Sequence, residues 1–138
     1  MMNKEGKFSM IFALVGSMVL LSLNQVYGQE NEVIVTIMQG SADAGSCENK
    51  YQGEAHAGYG FSPEELTIEK GTTVKWINND TSTHTVTSGE PGDNTVGTAF
   101  DSSYMNEGDV YLHKFNSKKT YDYYCTMYPF MKGKIIVK

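Results

Sequence analysis

Three residue types in the second half of this 138-residue chain could share one metal ion. His84 stands in "THTV", just after the polar turn "NND". Cys125 closes the run "YDYYC", and Met131 follows across a loop that contains Pro129. Thiolate, imidazole and a weak thioether are the donors of a trigonal copper centre with a long axial methionine. Thiolate favours Cu(I), whereas imidazole suits both oxidation states. A donor set that fully satisfies neither geometry needs little rearrangement when one electron moves.

Such donors must be positioned by strands. "EVIVTIMQ" (Glu32–Gln39) is rich in β-branched residues and reads as a first strand. Residues 40–60 are small and polar, a long loop of the kind that tends to be functional or mobile. Leu66 and Ile68, a turn at Glu69-Lys70-Gly71, then Val74 and Trp76 predict a hairpin with one buried face. "STHTVTSG" reads as a short strand, and Asp109–Phe115, Lys119–Cys125 and Gly133–Lys138 as three more. Trp76, the only tryptophan, is expected in the core, and Tyr121, Tyr123 and Tyr124 as strand packing. His113, in the middle of "YLHKF", is expected to point outward into solvent. Short strands, turn signals and no convincing amphipathic helix mean an all-β sandwich or barrel.

The N-terminus belongs to a different class. Lys4 and Lys7 precede the apolar run Phe8–Leu23, and Val26 and Gly28 suit a cut before Gln29. This predicts an export signal over residues 1–28, or an uncleaved N-terminal anchor, ahead of a domain over 29–138. Both readings place the domain outside the cytoplasm, with the membrane involved only through that N-terminal segment. Cleavage would leave nine lysines against fifteen acids, a net charge of −6, with no arginine. An acidic domain of this kind argues against nucleic acid as a partner, because phosphate binding wants a basic face. The asparagine of Asn79-Asp80-Thr81 sits in a glycosylation sequon, a pattern common by chance.

From Phe61 to the C-terminus the chain resembles the cupredoxins, of plastocyanin, amicyanin and pseudoazurin type. The pieces that carry the resemblance are "FSPEELTIEKGTTVKWINND", "HTVTSG", "FDSS", "YDYYC" and "CTMYPFMKGKIIVK". The last is similar to the short ligand loop of amicyanins. The resemblance implies a Greek-key β-sandwich of about eight strands with one copper ion at one end. It makes His84, Cys125 and Met131 the first histidine, the thiolate and the axial ligand. It places the second histidine ligand at Tyr128, which is a departure from the pattern. It also implies a second cysteine shortly before Phe61 to partner Cys47, and "AHAGYG" contains none. Cys47 is thereby left unpaired unless it forms a disulfide with Cys125.

Four readings of Tyr128 stay open at this point. It binds copper as phenolate, a hard anionic oxygen; or His56, in the 40–60 loop, replaces it. A third reading leaves the position open to water or a small molecule, and a fourth makes the sulfur-rich loop a Cu(I) site. Met127 reads as gap-filling packing. The function expected is an exported single-electron carrier, a monomeric non-enzyme that meets extracytoplasmic redox proteins through the apolar patch at Tyr128, Pro129 and Phe130. The alternatives are a copper-delivery module without redox turnover and an open-site copper centre that binds a small molecule.

Overall fold

This computed structural model describes residues 31–43 and 60–138, and strands such as Thr73–Asn78 and Lys132–Val137 alternate buried with more exposed residues. They fall within one unit, Asn31–Lys138. The expected export signal, Cys47 and His56 lie outside the described residues. Eight strands form: β1 (Glu32–Ile37), β2 (Phe61–Ser62), β3 (Glu65–Ile68), β4 (Thr73–Asn78), β5 (Thr87–Ser88), β6 (Val110–Lys114), β7 (Thr120–Tyr124) and β8 (Lys132–Val137). They make two four-stranded sheets, ordered β2-β1-β4-β6 and β3-β8-β7-β5. The all-β sandwich expected from the sequence is the observed architecture.

The predicted hairpin over residues 65–78 does not form. β4 lies parallel to β1, and β3 lies parallel to β8 in the other sheet. The turn at Glu69–Gly71 carries the chain across the sandwich instead of back along one sheet. Its backbone donors serve both sides: Gly71 N–H donates to the Phe115 carbonyl at 2.7 Å and Lys70 N–H to the Lys138 carbonyl at 3.0 Å. The physical reason is burial. In opposite sheets, Ile68 and the Val74/Trp76 pair face one core from its two sides, and each strand finds an apolar partner of its own.

That core is aromatic. Trp76 on β4 meets Tyr123 on β7 edge-on, with ring centroids 5.7 Å apart, and Phe100 and Phe115 close the cluster around it. Tyr123 is paired across the sheet with Gly133 on β8, and a β-carbon there would lie 2.2 Å from the ring. The glycine of "MKGK" is the space that the tyrosine ring occupies.

His113 corrects an expectation. β6 turns Val110, Leu112 and Lys114 outward and leaves Tyr111 and His113 half-buried. The His113 ring packs between Phe100 and Phe115, at 5.0 and 4.8 Å between centroids. It is a histidine of the core's margin rather than a solvated one, because the strand register places its isopropyl and isobutyl neighbours outside.

Candidate metal centre

His84 is held by the turn that follows β4. Asn78, fully buried, donates its side-chain N–H groups to the Ser82 and Met105 carbonyls, both at 2.9 Å. Its side-chain oxygen accepts from Asp80 N–H, also at 2.9 Å. Beyond this turn His84 and Met105 exchange backbone hydrogen bonds of 3.0 and 2.8 Å. The imidazole is thereby fixed in a fully buried place at one end of the sandwich.

Cys125 and Met131 are the two feet of one tight loop. Cys125 N–H donates to the Met131 carbonyl at 3.1 Å, Tyr128 N–H to the Cys125 carbonyl at 3.2 Å, and Met131 N–H to the Tyr128 carbonyl at 2.9 Å. These bonds return the chain into β8 with both sulfur residues buried. Thr85 fastens the loop to the His84 segment: its hydroxyl oxygen accepts from Thr126 N–H at 2.8 Å and lies 3.0 Å from the Thr126 hydroxyl.

The loop and the histidine meet at Cys125. Its Sγ is 3.6 Å from His84 Nδ1 and accepts from Thr85 N–H at 3.3 Å. Cys125 is a free thiol, so the Cys47–Cys125 disulfide considered from the sequence is absent. Burial raises the thiol's pKa, but the His84 ring and the backbone N–H groups of Thr85, Tyr128 and Met127 outweigh it and favour the thiolate. Burial likewise opposes charge on His84, and its contacts with Cys125 and Asp80 overcome that and raise its pKa. A buried thiol whose pKa is lowered, with an imidazole nitrogen 3.6 Å away, offers soft donors that fit copper.

The remaining candidates divide. Met131 is buried in the core cluster beside Cys125, and Tyr128 is half-buried with its ring 5.1 Å from that of His84. Among the described residues no three His, Cys, Asp or Glu side chains converge, so methionine sulfur or Tyr128 must complete any donor set drawn from them. Met127 is 47% exposed, so it fills no gap in the core, and the packing role expected for it is corrected. Its neighbour Phe130 is equally exposed, and with Pro129 and Tyr128 these residues form an apolar rim beside the site.

Sequence reasoning passed over Asp80. It is 2% exposed, and its Oδ2 lies 2.8 Å from His84 Nε2. Its burial would raise the carboxyl's pKa, but the His84 contact and the backbone N–H groups of Gly40 and Ala42 hold it below the usual value. The signal available was a carboxylate four residues before the candidate ligand, in a turn that has no other acid.

The chain is similar to known copper-binding proteins. The model of the copper-binding proteins of the plastocyanin/azurin family matches residues 47–138. Amicyanin-alpha of Methylorubrum extorquens is 38% identical over 99 residues, covering 70% of this chain and 76% of the relative. Amicyanin of Paracoccus versutus is 40% identical over 76 residues, a match that spans 54% of this chain and about half, 54%, of the relative. Among solved structures, a purple cupredoxin from Nitrosopumilus maritimus is similar, with a TM-score of 0.63 and 31% identity over 77% of this chain and 99% of that one.

Proposed function

We propose, from the premise that this chain belongs to the plastocyanin/azurin family of copper-binding proteins, that it carries single electrons between redox proteins outside the cytoplasm. Copper is its cofactor. The observation that carries this reading is the buried free thiol of Cys125, 3.6 Å from His84 Nδ1. Bound copper supplies a one-electron couple between its two oxidation states.

The chain's own residues supply the rest. Cys125 gives a thiolate, His84 an imidazole and Met131 a weak thioether. Tyr128, beside the His84 ring, stands where relatives of this type are expected to place a second histidine, and we assign it as the fourth side chain of the site. Burial of His84, Cys125 and Met131 excludes water from the donors. The hydrogen bonds across the Cys125–Met131 loop hold the donors in one arrangement, which limits the rearrangement that accompanies electron transfer. Met127, Pro129 and Phe130 offer an exposed apolar contact next to the site. Three exposed residues of this kind suit a small, weak interface that turns over rapidly.

Titration of the copper-free protein with Cu(II), followed by its optical spectrum and by voltammetry, tests this function. An intense thiolate-to-copper band, lost in Cys125→Ser, and a reversible midpoint are the expected result. Binding of Cu(I) without Cu(II) replaces the electron carrier with a copper-delivery module. A spectral change on adding azide or nitrite replaces it with an open centre. No binding of either oxidation state rejects all three.

A further inference from the structure

We propose that Asp80 is the positioning residue of the metal centre, a buried carboxylate that sets the proton on His84 and biases the site toward Cu(II). The inference rests on the reading of His84 as a ligand. His84 has one ring nitrogen on each side of the question: Nδ1 faces the Cys125 sulfur at 3.6 Å, and Nε2 faces Asp80 Oδ2 at 2.8 Å.

An ionised carboxylate only accepts hydrogen bonds. Nε2 must therefore carry a proton, and in the neutral ring this leaves the Nδ1 lone pair pointing at Cys125. The carboxylate cannot swing away, because it is anchored independently. Gly40 N–H donates to Oδ1 and Ala42 N–H to Oδ2, each at 3.2 Å, and Asp80 N–H is held by the Asn78 side chain. These donors come from the segment after β1, so two distant pieces of chain converge on one acceptor. The Asp80 side chain is 3% exposed.

A backbone carbonyl in the same place would select the same tautomer. The carboxylate adds a full negative charge, screened by little water. Charge of that sign at the far nitrogen raises the basicity of the ligating one, as in other carboxylate–histidine–metal arrangements. The more electron-poor oxidation state gains more from it, so Asp80 stabilises Cu(II) over Cu(I).

Two measurements test the proposal. The first is nitrogen-15 NMR of the histidine rings, made on the copper-free wild type at a pH where the His84 ring is neutral. A proton on Nε2 and a bare Nδ1 are expected, and a proton on Nδ1 overturns the assignment. The second compares copper-loaded wild type with Asp80→Asn, which keeps an oxygen acceptor and removes the charge. Cu(II) affinity should fall about tenfold relative to Cu(I) affinity, the low end of what losing such a partner costs in metal affinity. For one electron that is a rise in midpoint of about 59 mV. Asp80→Glu, which restores the charge, should bring the midpoint back toward the wild-type value.

If Asp80→Asn binds copper with wild-type midpoint and ring-nitrogen shifts, the assignment of Asp80 is overturned and the electron-carrier function stands. If wild type binds no copper, that function falls, and the ring-nitrogen shifts of wild type and Asp80→Asn still decide what Asp80 does to His84. If Asp80→Asn fails to fold, the wild-type shifts decide alone.

Discussion

With Tyr128 as the proposed fourth side chain, its ring 5.1 Å from that of His84, the type of site turns on this one residue. The loop from Cys125 to Met131 carries a phenol, Tyr128, where the resemblance to amicyanins implies an imidazole. Tyr128→His should therefore turn the centre into an ordinary blue one, with a single dominant thiolate band in the optical spectrum. Tyr128→Phe should remove a hard oxygen donor and raise the midpoint potential. A spectrum and midpoint unchanged in Tyr128→Phe would move the fourth position to His56, and His56→Ala would then be the variant that alters the spectrum. Which residues would gather was partly readable at this scale, since Cys125 and His84 do lie 3.6 Å apart. Soft sulfur donors flanking a short loop, and a histidine after a turn, have a chemistry that side-chain type alone defines. Asp80 was not readable, because its role is created by Gly40 and Ala42, which only the folded chain brings to it. His113 was misread for a related reason: a strand of alternating residues has two faces, and the pattern "VYLHKF" does not say which is inner.

At the scale of elements, the strands themselves were legible and their partners were not. The strands expected at Glu32–Gln39, Asp109–Phe115, Lys119–Cys125 and Gly133–Lys138 lie within two residues of the ends of β1, β6, β7 and β8. Whether the turn at Glu69–Gly71 folds β3 back on β4 or sends it to the opposite sheet depends on β1 and β8, which lie far away in sequence. The same distance hides why Gly133 is a glycine. Its absent side chain is the seat of the Tyr123 ring in the facing strand. Gly133→Ala should cost about 2 kcal/mol through overpacking, and more if the ring cannot shift. A denaturant titration of the copper-free protein measures it. Tyr123→Ala should soften the penalty when combined with Gly133→Ala, since neighbours of this kind do not behave additively.

At the scale of the whole molecule, the margin of the core should make stability depend on pH. Burial between Phe100 and Phe115 lowers the pKa of His113 below its ordinary value of 6.5. The unfolded chain takes up that proton near 6.5, while the folded protein resists it until a lower pH. His113 therefore subtracts stability as pH falls below about 6.5. The loss levels off once the folded ring is also protonated. His84 in the copper-free protein has the opposite sign. Its pKa is raised, so its contribution is present below about 6.5 and is lost as pH rises through the folded value. Comparing wild type with His113→Phe isolates the first effect. The variant should lose less stability than wild type between pH 7.5 and pH 5, read as the shift in urea midpoint at about those two values.

The parallel pairing of β3 with β8 also governs time. Glu65 meets Lys134, and Glu32 meets Thr73, so both sheets depend on contacts between distant parts of the chain. Folding of this kind belongs to the slow class, in milliseconds to seconds rather than microseconds. β8 begins at Lys132, directly after Met131, and it separates β3 from β7 within their sheet. That sheet cannot assemble before its final strand arrives, and until then the thiol of Cys125 has no protective cover. Refolding in the presence of an oxidant should therefore give a lower yield than refolding under a reductant, with the difference abolished in Cys125→Ser only if Cys47 is also replaced. The vulnerable moment in the life of this metal site comes before it exists.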